Sequence, residues 1–142
     1  MQVNISDGGR KKAGFVGVTG DCVTRAIAIA TGKSYKEVYD ALNELGKRER
    51  TGSRKTGKSN SRTGVYPKTT RKYMLSIGWK WNPTMGIGTG CTVHLDENEL
   101  PKGNLVVQVS RHTTAVIDGI IYDTHDPQRY GTRCVYGYYS KE

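Results

Sequence analysis

The chain reads as an α+β protein, with helical periodicity in its first half and strand periodicity in its second. Three observations carry that expectation. Val23, Ala26, Ile27 and Ala30 fall three to four residues apart, Val38, Tyr39, Leu42 and Leu45 repeat the spacing, and Asp118-Gly119 interrupts an apolar run as a two-residue hairpin turn does. With 142 residues, the length suits one domain, 1–142, with a hydrophobic core of its own.

The first predicted helix begins at Cys22 and stops at Gly32, a residue suited to the left-handed conformation that closes a helix. Ser34 and Glu37 then fit a capping box, in which the serine side chain and the glutamate satisfy orphan backbone donors. They open a second helix that Gly46 is expected to end. A third helix is expected over about Thr70–Ile77, stopped by Gly78 and followed by Trp79 and Trp81. From there the period changes. LVVQVS at 105–110, the two arms flanking Asp118-Gly119 and CVYGYYS at 134–140 read as strands of an antiparallel sheet. Tyr130, Tyr136, Tyr138 and Tyr139 fall on these strands as packing residues, the glycines of MGIGTG at 85–90 make a flexible connection, and no internal repeat is visible.

The net charge of +9 is concentrated rather than spread. Residues 47–72 hold ten Lys or Arg and one Glu, which accounts for the whole excess. Rich in Gly, Ser and Thr and poor in large apolar side chains, this window is expected to be a long mobile basic loop. Such a loop suits an acidic protein partner or the phosphates of a nucleic acid. The three cysteines are widely spaced and the N-terminus carries no long apolar run, so free thiols in a reducing cytoplasm are expected. No stretch approaches the roughly 20 apolar residues needed to span a bilayer, so no membrane partner is expected.

Cys22 stands at the mouth of the first helix, where unpaired N–H groups and the positive end of the helix dipole favour a thiolate and can also hold a developing oxyanion. A nucleophilic thiolate needs an imidazole. If Asp118 and Gly119 are the turn residues, Ile117 faces Ile120, His112 lies opposite His125, and Asp123 is diagonal to His112 on the same face. A regular ladder puts Asp126 on the other face, although a bulge near Pro127 would bring it round. Asp123 ranks first as the carboxylate that orients the ring, Asp126 second. His125 is either a surface ring or a second imidazole in the cleft. Cys91 and His94 have a zinc-like gap, but no second pair accompanies them, so no metal or other cofactor is expected.

A cysteine opening the first long helix, the Gly-Lys-Ser-Tyr-Lys-Glu-Val segment after it, and a late strand histidine followed by a strand ending in Asp-Pro together resemble the papain-like cysteine peptidases. The nearest variety is that of the bacteriocin-leader-processing peptidases and small phage-borne relatives, over residues 19–45 and 99–139. The resemblance implies Cys22 as nucleophile, His112 as general base, an Asp as orienter, and a helix packed against an antiparallel sheet. It implies a protein or peptide substrate. Two features depart from the pattern. Val16 stands where the family's oxyanion glutamine is expected, leaving Thr19 and Asn4 as polar candidates, and the family's Asp-Pro matches Asp126-Pro127 whereas the hairpin count selects Asp123. The expected function is therefore a cysteine hydrolase of amide bonds. The other class kept open is a catalytically inactive module that binds nucleic acid or an acidic protein through its basic loop.

Overall fold

A computed structural model describes residues 1–17, 19–50 and 57–141. The architecture is α+β. The element order is β1 (Gln2–Ile5), α1 (Cys22–Thr31), α2 (Tyr35–Lys47), α3 (Pro67–Ser76), β2 (Trp79–Pro83), β3 (Asn104–Val109), β4 (His112–Ile117), β5 (Ile120–Asp123) and β6 (Val135–Lys141). The strands form one six-stranded sheet in the order β1-β5-β4-β3-β6-β2. All neighbours are antiparallel except β1, which joins β5 in parallel. The sheet is thus mixed rather than antiparallel throughout. It gains β1 and β2, strands that no periodicity announced.

The local signals act largely as physical chemistry requires. Gly32 takes a left-handed φ of 76° and its N–H returns to the Ala28 carbonyl, closing α1. Ser34 Oγ accepts from the Glu37 N–H at 3.2 Å, one half of the predicted capping box. Asp118 and Gly119 have φ of 50° and 80°, the two positive values of a type I′ turn, and Ile117 pairs with Ile120 as counted. Gly46 behaves differently from its expected role. It lies inside α2, buried, and a Cβ there would come within 2.2 Å of the Ser59 carbonyl oxygen, so it admits a crossing chain rather than ending the helix. α3 starts three residues earlier than expected because Pro67 occupies its first turn, where a missing N–H costs nothing.

Both faces of the sheet are covered. Ala26, Ile27, Val38, Leu42 and Met74 from the helices pack on Val106, Ala115 and Tyr139 on one face. On the other, Leu95 and Leu100 from the β2–β3 connection cover Leu105, Val107, Val116 and Ile121. Full burial of each large aliphatic side chain contributes about 1.5–3 kcal/mol. Of the four tyrosines assigned to strands, Tyr139 is buried on the helical face, Tyr138 packs on the other, and Tyr136 and Tyr130 are exposed, Tyr130 in the turn before β6.

The described part of the basic window differs from the mobile loop expected over 47–72. Lys47 closes α2 and residues 67–72 are helical. Between them Glu49, the window's single acid, accepts from the Ser59 N–H at 2.6 Å and from the Ser59 and Thr69 hydroxyls. Ser61 donates its N–H to Asn43 Oδ1 and its hydroxyl to the Tyr39 carbonyl, while its own carbonyl accepts from Thr24. Small polar side chains here order the segment through hydrogen bonds instead of apolar burial. Residues 51–56 of the window lie outside the described residues.

The cysteines also depart from expectation. Cys91 and Cys134 are joined by a disulfide and only Cys22 is free, so the premise of three reduced thiols fails for two of them. Their Cα atoms lie 5.8 Å apart because an isolated bridge sets His94 beside Cys134. Among the described residues, no helix is long and apolar enough to cross a membrane.

Candidate active site

Cys22 is the first residue of α1, and the helix points its start at the end of the β4–β5 hairpin. Its N-cap, Asp21, makes no side-chain cap bond. The Asp21 carboxylate is used elsewhere: Oδ1 pairs with Arg25 NH1, Oδ2 accepts from the Tyr35 hydroxyl at 2.6 Å, and Arg10 Nε stands 3.9 Å away. Buried next to that carboxylate, the Tyr35 hydroxyl is pushed far above the ordinary phenol range.

The register counted from Asp118-Gly119 delivers the second half of the site. His112 Nε2 lies 2.7 Å from Asp123 Oδ2. Asp123 is 1% exposed, and its other oxygen accepts from Arg25 NH2 at 3.1 Å and from the Thr124 N–H at 2.7 Å. Burial alone would raise the Asp123 carboxyl, but the hydrogen bond and charge of His112 and the Thr124 N–H outweigh it and hold the group well below the usual carboxylate range. Likewise burial would lower His112, yet Asp123 and then Cys22 raise it to about 9. For Cys22 burial pushes the thiol up, and the hydrogen bond and charge of His112, the Thr113 backbone and the Arg25 charge pull it below its ordinary value. The arrangement favours a Cys22 thiolate beside a His112 imidazolium, with Asp123 fixing the ring through Nε2 and leaving Nδ1 for the sulfur.

A cavity of about 590 Å³ opens over this pair. Its floor is Cys22, His112 and Thr113, and its walls include Thr19, Gly64 and Gln108. The 57–66 segment therefore helps shape the cleft: Gly20 N–H and the Thr19 hydroxyl both donate to the Arg62 carbonyl, at 2.7 and 2.9 Å.

Of the residues anticipated from sequence, Cys22, His112 and Asp123 come together and Asp126 does not. Asp126 is exposed and accepts from the Gln128 N–H and Nε2, both at 3.0 Å. Gln128 in turn holds the Met1 amine and carbonyl, so this carboxylate closes a turn that anchors the N-terminus. The bulge imagined at Pro127 does not turn Asp126 toward His112. His125 lies beside the site, its ring 5.0 Å from that of His112 and its Nδ1 3.9 Å from Asp123 Oδ1. Thr19 lines the cavity with its hydroxyl donated to Arg62, whereas Asn4 sits on β1 opposite Tyr122, accepting from Gln2, and Val16 is exposed. Cys91 is not available to a metal as a thiolate, being bonded to Cys134. Among the described residues, one group of three converges as metal ligands would: His112, Asp123 and His125, with ligand atoms within 4.8 Å of one another. Both Asp123 oxygens are already committed to protein donors, one of them a guanidinium that would repel a cation.

Three residues of the site were not singled out from sequence. Asp21 and Arg25 flank Cys22 with i, i+4 spacing, the signature of a helical ion pair, and Arg25 interrupts an otherwise apolar stripe. Gln108 is the one polar residue in LVVQV, and that interruption was the available signal. Comparison of the chain with protein-family models, curated proteins and solved structures finds no match in any of the three.

Proposed function

We propose that the protein is a cysteine hydrolase of the papain-like kind, cleaving an amide bond in a protein or peptide substrate. The observation that carries this reading is the His112–Asp123 pair lining one cavity with the free Cys22 at the start of α1. In this mechanism the Cys22 thiolate attacks the substrate carbonyl, forming a C–S bond while the carbonyl oxygen becomes an oxyanion held by backbone N–H groups at the α1 start. His112 donates its proton to the departing amine as the C–N bond breaks. A water then gives its proton back to His112 and attacks the thioester, releasing the acid and regenerating the thiolate–imidazolium pair. Asp123 holds the ring throughout and stays ionised. Gln108 supplies the only side-chain amide among the described residues lining the cavity, which makes it the side-chain oxyanion donor to test first.

The site is built so that Asp123 cannot swing away. Arg25 bridges Asp123 to Asp21, and Asp21 is itself held by Tyr35, so the carboxylate behind the histidine is fixed by the same helix that carries the nucleophile. Under this reading iodoacetamide at neutral pH labels Cys22 rapidly, and peptide mapping finds the adduct there. Loss of that rate in His112→Ala supports the assignment, and an unchanged rate would sink it.

The exposed Arg111 of this cavity, with the exposed Lys68 and Arg71 on α3 nearby, favours a second reading, in which an acidic partner is bound and not turned over. Cys22→Ala separates the two, since it removes turnover and leaves binding in place. We place the protein on the side of small phage-borne enzymes as part of the same proposal; with Cys91 and Cys134 bonded, free thiols no longer argue for a reducing cytoplasm.

A further inference from the structure

Gln108 and Pro67, which line the cavity at Cys22, also line a second cavity of about 550 Å³. That cavity is lined by Trp81, Pro83, Met85 and Tyr136, with Lys68 and Arg71 from α3 along one side. Lys68 and Arg71 are three residues apart, so they present their charges on one helix face. Both are exposed. The first cavity is also lined by Arg111, exposed in the β3–β4 turn. Among the described residues, none of these three cations has a carboxylate within ion-pairing distance. The one carboxylate that lines either cavity is Asp21, buried and paired to Arg25. The first cavity is therefore polar around Cys22 with Arg111 in its lining, and the second is apolar with Lys68 and Arg71 along one side.

We propose that the two cavities form one continuous groove for an acidic peptide segment of the substrate, with an apolar or aromatic side chain seated against Pro83, Met85 and Tyr136 and a carboxylate held by Lys68 and Arg71. The assignment rests on the hydrolase reading of Cys22 for the bond that is cleaved; the binding chemistry stands on the groove itself. A peptide fits better than a nucleic acid for two reasons. The Arg71 guanidinium already lies over the Trp81 ring, 5.4 Å from its centroid, so the face on which a base would stack is covered. And the groove runs into a thiolate whose chemistry requires a carbonyl. An isolated cation at the groove rim adds little affinity, but an opposite charge seated among excluded water discriminates against a like charge.

The test uses the full chain and two peptidyl acyloxymethyl ketones, one carrying Asp-Phe and one Lys-Phe. In each, the Cys22 thiolate displaces the acyloxy group as a carboxylate and forms a C–S bond. Rates are divided by the iodoacetamide rate of the same protein, so intrinsic thiolate reactivity cancels. The Asp-Phe probe is expected to label Cys22 at least about tenfold faster than the Lys-Phe probe, a preference of about 1.4 kcal/mol. Lys68→Glu is expected to erase or invert the order. Equal rates in the unaltered protein, or a preference that survives both Lys68→Glu and Arg71→Gln, overturn the groove while leaving the nucleophile intact. A second measurement does not need a reactive sulfur: an Asp-Phe-containing peptide titrated into Cys22→Ala should change tryptophan fluorescence saturably, and Lys68→Glu should abolish the change. If that titration succeeds while iodoacetamide finds Cys22 inert, the groove stands and the hydrolase reading falls. If a short oligothymidylate displaces the peptide and itself depends on Lys68 and Arg71, the peptide assignment is overturned in favour of nucleic acid.

Discussion

Two strings of cysteine, histidine and carboxylate occur in this chain, and they are built in opposite ways. Cys91, His94 and Glu99 are near neighbours in sequence; His94 Nε2 lies 3.6 Å from Cys91 Sγ and its Nδ1 3.2 Å from Glu99 Oε1. Cys22, His112 and Asp123 come from α1, β4 and β5, with 90 residues between the sulfur and the ring. In the local string the histidine and carboxylate side chains are 39% and 36% exposed, and the sulfur is committed to a disulfide. In the remote string they are 11% and 1% exposed, and the sulfur is free at a helix start. Sequence proximity brings three groups together cheaply, but in water each interacts weakly. Burial alone at the Cys22 site would lower His112 and raise the thiol; the fold's contribution is to set Asp123, His112 and Cys22 against one another where little water screens them, so that their mutual attraction outweighs burial and reverses both shifts.

The comparison is broken most directly at His112. His112→Ala should cost on the order of 10⁶-fold in turnover and Asp123→Asn roughly 10⁴-fold, the scales seen when the base or the orienting carboxylate of a triad is removed. A pH profile of alkylation sharpens the result. In the unaltered protein the Cys22 rate should be flat through neutral pH with its rise displaced below the ordinary thiol range, and in His112→Ala the rise should return upward. Reduction of the disulfide provides the control. If freed Cys91 is alkylated as fast as Cys22, proximity of histidine and glutamate suffices and burial teaches nothing.

Arg25 is the next largest effect. It is 7% exposed and pairs with both Asp21 and Asp123, so Arg25→Ala leaves two buried carboxylates short of a cation, Asp21 with only Arg10 at 3.9 Å and Asp123 with only His112. Breaking a buried pair from one side costs about 3–5 kcal/mol. Chemical denaturation should show that loss, whereas an equivalent truncation of Lys36, in an exposed pair with Asp40, should barely move the midpoint. Equal small effects would mean that solvent reaches the Arg25 cluster.

Reducing Cys91–Cys134 comes third. The bridge spans 43 residues, and the chain-entropy account gives a stabilisation of about 4 kcal/mol at that separation. Thermal unfolding with and without a phosphine reductant measures it. The Cys22 string should keep its alkylation rate in the reduced folded protein, because no member of it touches the bridge.

The pH dependence of stability separates the strings by a smaller margin. His112 is raised from 6.5 to about 9 on folding, so its contribution is fully present below pH 6.5 and is lost as pH rises through 9. Asp123 is depressed, so its contribution is present above the ordinary carboxylate value of 3.8 and is lost as pH falls below it. The stability gap between the unaltered protein and His112→Gln should therefore be widest between about pH 4 and 6.5 and shrink toward pH 9. A gap that stays constant from pH 5 to 9 would show that the ring is not charged by its setting.

The same contrast explains what could be read from the sequence. His112 and Asp123 were legible because a two-residue Asp-Gly turn fixes register, and register fixes which side chains are diagonal. The helices were legible because their apolar stripes are local. β1 was not, since four residues with no sustained alternation acquire their role only by pairing with Ile120–Asp123 far along the chain. Nor was the Cys91–Cys134 bridge, whose ends meet through the pairing of His94 with Cys134 rather than through any spacing. Asp126 attracted attention through its Asp-Pro context, yet that turn serves Gln128 and the N-terminus. The basic window was misjudged where ordering depends on one residue, Glu49, collecting Ser59 and Thr69, because composition averages a segment and a single well-placed acceptor does not.

The smallest effect belongs to the local string. Glu99→Ala removes the acceptor of the His94 Nδ1–H and of the His94 backbone N–H, at 3.2 and 3.3 Å. An exposed pair of this kind contributes under about 1 kcal/mol, and salt screens part of it. The unfolding free energy should fall by no more than a few tenths of a kcal/mol in 0.15 M salt, while Asp123→Ala, the corresponding change in the other string, should lower it by several kcal/mol. Comparable losses would put the Glu99 pair in a drier setting than its exposure allows, and solvent exclusion would cease to be what distinguishes Cys22 from Cys91.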